Sequence, residues 1–291
     1  MSSSKSSQAA GNAPTAGESS TEEASLESPP RQGATLEMKQ VSRKFGDFLA
    51  LKEIDLEVPS GSIAVVIGGS GAGKTTLLKL LIGLDKPSSG QILIDGDDMT
   101  TVRGRQLDRL RRRLGMVFQY SALLDSMTVF DNVAFPLREH ERRLGERAIK
   151  AQVLEKLGSL GLAGAENKLP SEISGGMRKR AALARALMLK PQALFYDEPT
   201  SGLDPLSARL VDRMIVETRD KWGVTSVVIS HDMAGALQIA DEVHLLSEGQ
   251  LVVSGAPQEL ARGDHPLARR FFVASGIQVA SSALGHAPKG D

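Results

Sequence analysis

The chain has no cysteine among its 291 residues. That excludes disulfides, thiolate nucleophiles and cysteine-ligated metals, and it suits a reducing compartment. Aromatic residues make up only 4% of the sequence, too few for the stacking platforms that hold single-stranded nucleic acid. Neither sign of charge is in excess, because 35 Lys and Arg balance 35 Asp and Glu. There is therefore no overall positive field to gather nucleic acid or an anionic membrane surface. Long apolar runs are missing too. The most apolar stretch, 63–67, ends in glycines, far short of the roughly 20 residues that cross a bilayer as a helix. Between Ser2 and Ala34 the only large aliphatic side chain is Leu26. A secretory signal needs an apolar core, so residues 1–34 are expected to be a disordered, unprocessed leader.

What is present is an ordinary globular composition, 41% hydrophobic and 24% charged, enough for one large α/β domain or two small ones. From Thr35 onward Leu36, Met38 and Val41 alternate with polar residues, predicting a half-buried strand, and a second strand at 54–58 follows the turn around Gly46. Residues 62–67 are β-branched and bounded by glycines, and the Leu-rich stretch 73–84 has helical spacing. The order is strand, glycine loop, helix. Further buried strands are predicted at 91–94, 115–118, 193–197, 225–229, 243–246 and 250–253, with helical stretches between many of them. This alternation predicts a mainly parallel, helix-flanked core sheet with an antiparallel β N-terminal layer. Between 120 and 190 the strand signal disappears, while Ile149, Val153, Leu157 and Leu160 repeat at helical spacing, so an inserted α-helical subdomain is expected there. The domain is read as 35–274, with 275–291 a short tail.

Gly68-Gly69-Ser70-Gly71-Ala72-Gly73-Lys74-Thr75, followed by Thr76, fits G-x-x-x-x-G-K-[ST] between an apolar strand and a helix. Glycines let successive backbone N–H groups close around phosphate oxygens at a helix N-terminus. Lys74 is placed to neutralise the β- and γ-phosphates of a nucleotide, and the Thr75 hydroxyl to bind Mg²⁺. The apolar strand Ala193-Leu194-Phe195-Tyr196 ends in Asp197 and Glu198. An Asp-Glu pair at a strand end is by itself usually just solvated. Beside a P-loop, Asp197 can hold Mg²⁺ through water and Glu198 can polarise the attacking water.

With these residues in hand, Ser174-Gly175-Gly176 before a helix, Gln119 upstream, Ser201-Gly202-Leu203-Asp204 after the carboxylates and His231 after the next strand complete a set that resembles the ATP-binding cassette family. The resemblance covers about residues 35–260, with every motif in the family's order. It implies a P-loop NTPase fold of the ABC type and an ATP-hydrolysing subunit that drives a membrane partner. It also implies that Ser174, Gly175 and Gly176 of one copy cap the ATP held by the P-loop of a second copy, in a head-to-tail dimer. By resemblance Gln119 is the lid residue that touches Mg²⁺, His231 contacts the γ-phosphate, and Asp204 couples the two sites. Phe45 stands where the family stacks an aromatic ring on adenine; a buried core phenylalanine is the competing reading. Two departures from the family's usual signature are Ile173 in place of Leu and Met177 in place of Gln.

The stretch Phe118 to His140 and the run Gly175-Gly176-Met177-Arg178-Lys179-Arg180 are similar to the ATPases of Mla/MCE-type phospholipid transporters. The resemblance implies that residues after Gln119 form the groove that grips the coupling helix of the membrane subunit. The implied partners are therefore an integral permease and an MCE-type lipid-binding subunit, with the chain peripheral on the cytoplasmic side of the inner membrane and no nucleic acid bound. The implied cargo is phospholipid moving between inner and outer membranes. A second reading of Ala122 to Leu137 is simply the core of the helical subdomain. Arg103, Arg105, Arg109 and the run Arg111, Arg112, Arg113 read as a solvated helix face rather than a nucleic-acid or headgroup patch. Competing functions are a binding-protein-dependent importer ATPase for a small polar solute and a non-transport ABC ATPase. The first often carries a regulatory domain for which the stretch after the cassette leaves no room. The second would need a long coiled-coil insert or a second cassette. An inert scaffold is disfavoured because Lys74, Asp197, Glu198 and His231 are all in place.

Overall fold

The computed structural model describes residues 33–119 and 121–262, together with 266, 269, 270 and 273. Most of the expected leader, the tail at 275–291 and Tyr120 lie outside the described residues. In chain order the elements are β1 (Leu36–Phe45), β2 (Phe48–Val58), β3 (Ile63–Ile67), α1 (Lys74–Leu81), β4 (Ser89–Ile94), β5 (Asp97–Asp98), α2 (Arg105–Arg111), β6 (Leu114–Val117), α3 (Val129–His140), α4 (Glu146–Ser159), α5 (Gly175–Leu187), β7 (Ala193–Asp197), α6 (Pro205–Trp222), β8 (Thr225–Ser230), α7 (Met233–Ile239), β9 (Glu242–Ser247), β10 (Gln250–Gly255) and α8 (Pro257–Arg262). None of the described helices is long and apolar enough to cross a membrane.

Two sheets form. The first runs β2-β1-β4-β5 and is antiparallel; the second runs β10-β9-β3-β8-β7-β6. Within the second, β9, β3, β8, β7 and β6 are parallel and only β10 turns back. Every residue of β3 and β8 is buried, as befits central strands covered on both faces. Here the sequence reading holds closely, although β2 begins at Phe48 rather than 54, because the hairpin turn at Gly46 extends the ladder to the pair Phe45 and Phe48. Gly33 and Ala34, assigned to the leader, are also packed: Ala34 is fully buried and accepts from Thr225 Oγ1 at 2.6 Å.

The predicted helical subdomain contains α3, α4 and α5. Ile149, Val153 and Leu157 are buried against Val129, Val133, Leu137, Ala181 and Ala184. Both signature departures lie at this cluster: Ile173 is buried in it and Met177 packs against it. The arginine run divides. Arg103, Arg105, Arg109 and Arg112 are exposed, but Arg111 Nη2 donates to the Gly83 carbonyl at 2.6 Å and Arg113 pairs with Asp95 and Asp97. The solvated-face reading is corrected for those two side chains, which tie α2 and the start of β6 to the neighbouring turns.

Candidate functional site

Parallel strands leave their connections at one edge, and ligands of open α/β sheets bind outside the carboxyl ends of the strands. Ile67 stands level with Ser230, and Asp197 with Ile229, so the loops after β3, β7 and β8 leave the sheet together. The P-loop, the Asp197-Glu198 pair and His231 thereby meet at one edge. Gln119, two residues after β6, joins them: its Nε2 donates to Ser201 Oγ at 3.0 Å.

The P-loop closes on α1. Gly73 caps that helix at φ 110°, and a Cβ there would meet Ala50 O at 2.9 Å and Leu51 Cδ2 at 2.8 Å, so only glycine fits. At Gly68 a Cβ would lie 2.2 Å from Leu246 O, because β9 passes directly behind the loop. Lys74 Nζ donates to the carbonyls of Gly68 and Gly69 at 2.8 and 3.0 Å, which holds the ammonium over the loop. Phe48, Ala50 and residues 71–76 line one small cleft of about 180 Å³. The aromatic wall of that cleft is Phe48. Phe45 is nearly half exposed, with the Arg43 guanidinium 4.3 Å from its ring, which overturns the reading of Phe45 as a core residue. Phe48 was missed from sequence; its only signal was an aromatic side chain just past the Gly46 turn.

Asp197 is partly buried, and that burial together with the Glu198 charge raises its carboxyl above the usual range, while Lys74 and Lys79 act the other way. Glu198 adopts φ 47°, a conformation that costs a side-chain-bearing residue about 1 kcal/mol or more. Its N–H donates to Ile229 O at 2.9 Å, which anchors the strained residue. His231 Nδ1–H donates to Glu198 Oε2 at 2.5 Å. Lys179 supports the same loop. Its ammonium is buried, donates to the Pro199 carbonyl and is pushed below the usual lysine range by that burial. In sequence Lys179 is one cation among three; the telling signal is its helical phase, shared with buried Ala182 and Leu183.

Ser174, Gly175 and Gly176 lie elsewhere. Ser174 caps α5 by accepting from Met177 N at 3.3 Å, and Gly176 lines a cleft with Leu203, Ser207 and Leu210 rather than with the P-loop. Because the cap engages a backbone N–H, the Gln-to-Met departure at 177 leaves it intact. Asp204 likewise caps α6, accepting from Leu206 N and Ser207 N at 3.0 Å.

Beyond Gln119, the core reading of Ala122 to Leu137 holds for some of its side chains and not for others. Val129, Val133, Ala134 and Leu137 are core, whereas Leu124 and Phe135 are exposed and, with Phe118, border an open cleft of about 1160 Å³. Arg185 holds its rim by donating to Ala122 O at 2.7 Å and Ser121 O at 3.1 Å.

Residues 51–201 match the family model described as ABC transporter. The chain belongs to the ABC transporter family. As an ABC ATPase it binds and hydrolyses ATP, and it is 42% identical over 237 residues to the intermembrane phospholipid transport system ATP-binding protein MlaF of Escherichia coli strain K12, covering 81% of this chain and 88% of that protein. The ABC ATPase is also 41% identical over 240 residues to the probable ribonucleotide transport ATP-binding protein mkl of Mycobacterium leprae, covering 82% and 69% of the two chains. Among solved structures it resembles cbiO1 from Clostridium perfringens, part of the ABC transporter complex cbiONQ, with a TM-score of 0.73 at 30% identity over 83% of this chain and 95% of that one. A dimeric post-hydrolysis state of the cassette MJ0796, bound to ADP and Pi, matches at TM-score 0.69 and 29% identity over 76% and 98% of the chains.

Proposed function

We propose that this ABC ATPase energises phospholipid transfer between the inner and outer membranes, from the cytoplasmic side of the inner membrane, in a complex with an integral permease and an MCE-type lipid-binding subunit. The observation that carries this reading is the 42% identity to MlaF over 88% of that protein's length. The exposed Phe118, Leu124 and Phe135 around one cleft support a membrane subunit docking there.

At the site, Glu198 orients and polarises the attacking water, and His231, bonded to Glu198, contacts the γ-phosphate. Residues 68–76 cradle the phosphates, Phe48 or the neighbouring Phe45 covers the base, and Ser174, Gly175 and Gly176 of a second copy close over the nucleotide, with Asp204 coupling the two sites. The dimeric MJ0796 cassette supports that pairing. Thr75, Gln119 and Asp197 would hold Mg²⁺. All three offer hard oxygen donors, and the raised carboxyl of Asp197, crowded by the Glu198 charge, fits a position that a cation stabilises. When bound, Mg²⁺ supplies neutralisation of phosphate charge.

The 41% identity to mkl supports a second reading, a ribonucleotide as cargo. Purification of the chain with its native membrane partners, followed by mass spectrometry of proteins and bound small molecules, separates the two. Recovery of an MCE-type subunit and glycerophospholipid is expected. A ribonucleotide, sugar or amino-acid permease in their place would sink the lipid reading.

A further inference from the structure

Outside the nucleotide cleft, one charged cluster is tied to the loop that carries His231. Arg209, on α6, lies between two carboxylates from different elements. Its Nη1 is 2.9 Å from Asp212 Oδ2, one turn along the same helix, and its Nη2 donates to Asp232 Oδ2 at 2.6 Å. Nη1 also donates to Gln238 Oε1 on α7 at 3.0 Å. Asp212 is only 5% exposed and its Oδ2 has no hydrogen-bond partner among the described residues, so its charge there relies on the ion pair with Arg209. Burial and Asp232 both raise the Asp212 carboxyl, and Arg209 opposes them.

Asp232 follows His231 directly and sets the geometry of that loop. It caps α7 by accepting from Gly235 N at 3.0 Å, and its own N–H donates to Ser230 Oγ at 2.9 Å. Gly235 makes room for the cluster: a Cβ there would stand 2.9 Å from Asp232 Oδ2, 3.0 Å from Asp212 Oδ2 and 3.2 Å from Arg209 Nη2. The side chain of His231 is 62% exposed, and among the described residues its one hydrogen bond is to Glu198. Its placement therefore depends on the backbone that Asp232 fixes.

We propose that Arg209 is a positioning residue for ATP hydrolysis, which locks the His231 loop to α6, the helix that begins directly after the Glu198 loop, by bridging Asp212 and Asp232. α6 is an 18-residue helix capped at Asp204, so it gives both loops a common rigid reference. Removal of the guanidinium leaves two carboxylates facing one another across Gly235, and their repulsion moves the loop that one of them caps. Displacements of about 1 Å in a catalytic constellation can cost about 100-fold in rate. This inference rests on the roles given above to Glu198 and His231.

The test uses the transporter complex purified with its permease, comparing Arg209→Ala, Arg209→Lys, Gly235→Ala and His231→Ala. Arg209→Ala is expected to lower kcat by about ten- to a hundredfold while KM for ATP stays within about twofold. Lysine offers one point charge in place of a fork, so Arg209→Lys should fall between Arg209→Ala and the parent. Gly235→Ala keeps Arg209 but displaces the cluster, and should lower kcat in the same direction. Added guanidinium ion should restore part of the turnover of Arg209→Ala and none of that of His231→Ala. Parental kcat in Arg209→Ala beside an inactive His231→Ala would overturn the proposal. So would a purely structural outcome, in which activity falls only in step with a lowered Tm, guanidinium has no effect, and Arg209→Lys and Gly235→Ala turn over normally. An active His231→Ala would instead remove the site reading on which the proposal stands.

Discussion

Glu198 and His231 come from the ends of different strands and meet at 2.5 Å, so the chemistry of one reaches the other directly. Glutamine at 198 keeps the shape and can still accept from His231 Nδ1–H, but it loses the charge proposed to polarise water. Glu198→Gln is therefore expected to bind ATP within about threefold of the parental affinity and to lose at least about 100-fold in turnover. Equilibrium titration and phosphate release measure the two quantities, and parental hydrolysis would take Glu198 out of that role. At this scale the sequence was legible for placement, since the motifs that put Lys74, Asp197, Glu198 and His231 at or just after strand ends bring them to one edge of the sheet. It was not legible where a side chain acts through distant backbone, as Lys179 does on Pro199, because the contact spans 20 residues and no local pattern encodes it.

Each layer has its own fastening. In the helical layer Asn132, fully buried, accepts from Leu124 N at 2.7 Å and donates to the carbonyls of Leu124, Met127 and Thr128. Replacement by alanine removes the partner of the Leu124 N–H and the Met127 carbonyl, while the carbonyls of Leu124 and Thr128 keep their bonds from Met127 N and Asn132 N, so Asn132→Ala should destabilise by about 2 to 4 kcal/mol, read from denaturant unfolding. In the main sheet His244 on β9 is buried with Nδ1 2.8 Å from Ser254 Oγ, and burial pushes its pKa down to about 4. Unfolded, the same imidazole titrates near 6.5. Between these values the unfolded chain binds the proton and the folded chain does not, so stability falls as pH drops through this window, by up to about 3 kcal/mol near pH 4. Glu242, whose carboxyl burial and Glu57 hold above the usual range, contributes with the opposite sign. A His244→Gln variant should show a flatter stability profile between pH 7 and about 4; an unchanged slope would contradict it. The alternation of strands and helices was readable because periodicity reports burial. The extension of β2 was not, because Phe48 and Leu49 are exposed and leave no apolar alternation to read.

For the molecule as a whole, the separation of Ser174, Gly175 and Gly176 from the P-loop cleft is the main consequence of the layered design. The proposed head-to-tail pair needs a small, polar helix start facing the second copy's nucleotide. Ser174→Arg should thus leave the monomer folded and able to bind ATP, yet block the ATP-dependent dimer that Glu198→Gln accumulates. Light scattering on the double variant tests this, and a dimer of undiminished stability would refute the shared site. Under that pairing each active centre is jointly owned, with its phosphate cradle from one copy of the chain and its cover from the other. Genetics inherits the geometry: a hydrolysis-dead allele expressed beside the normal one draws healthy subunits into stalled pairs, so the defect should behave as dominant rather than being diluted by the good copy.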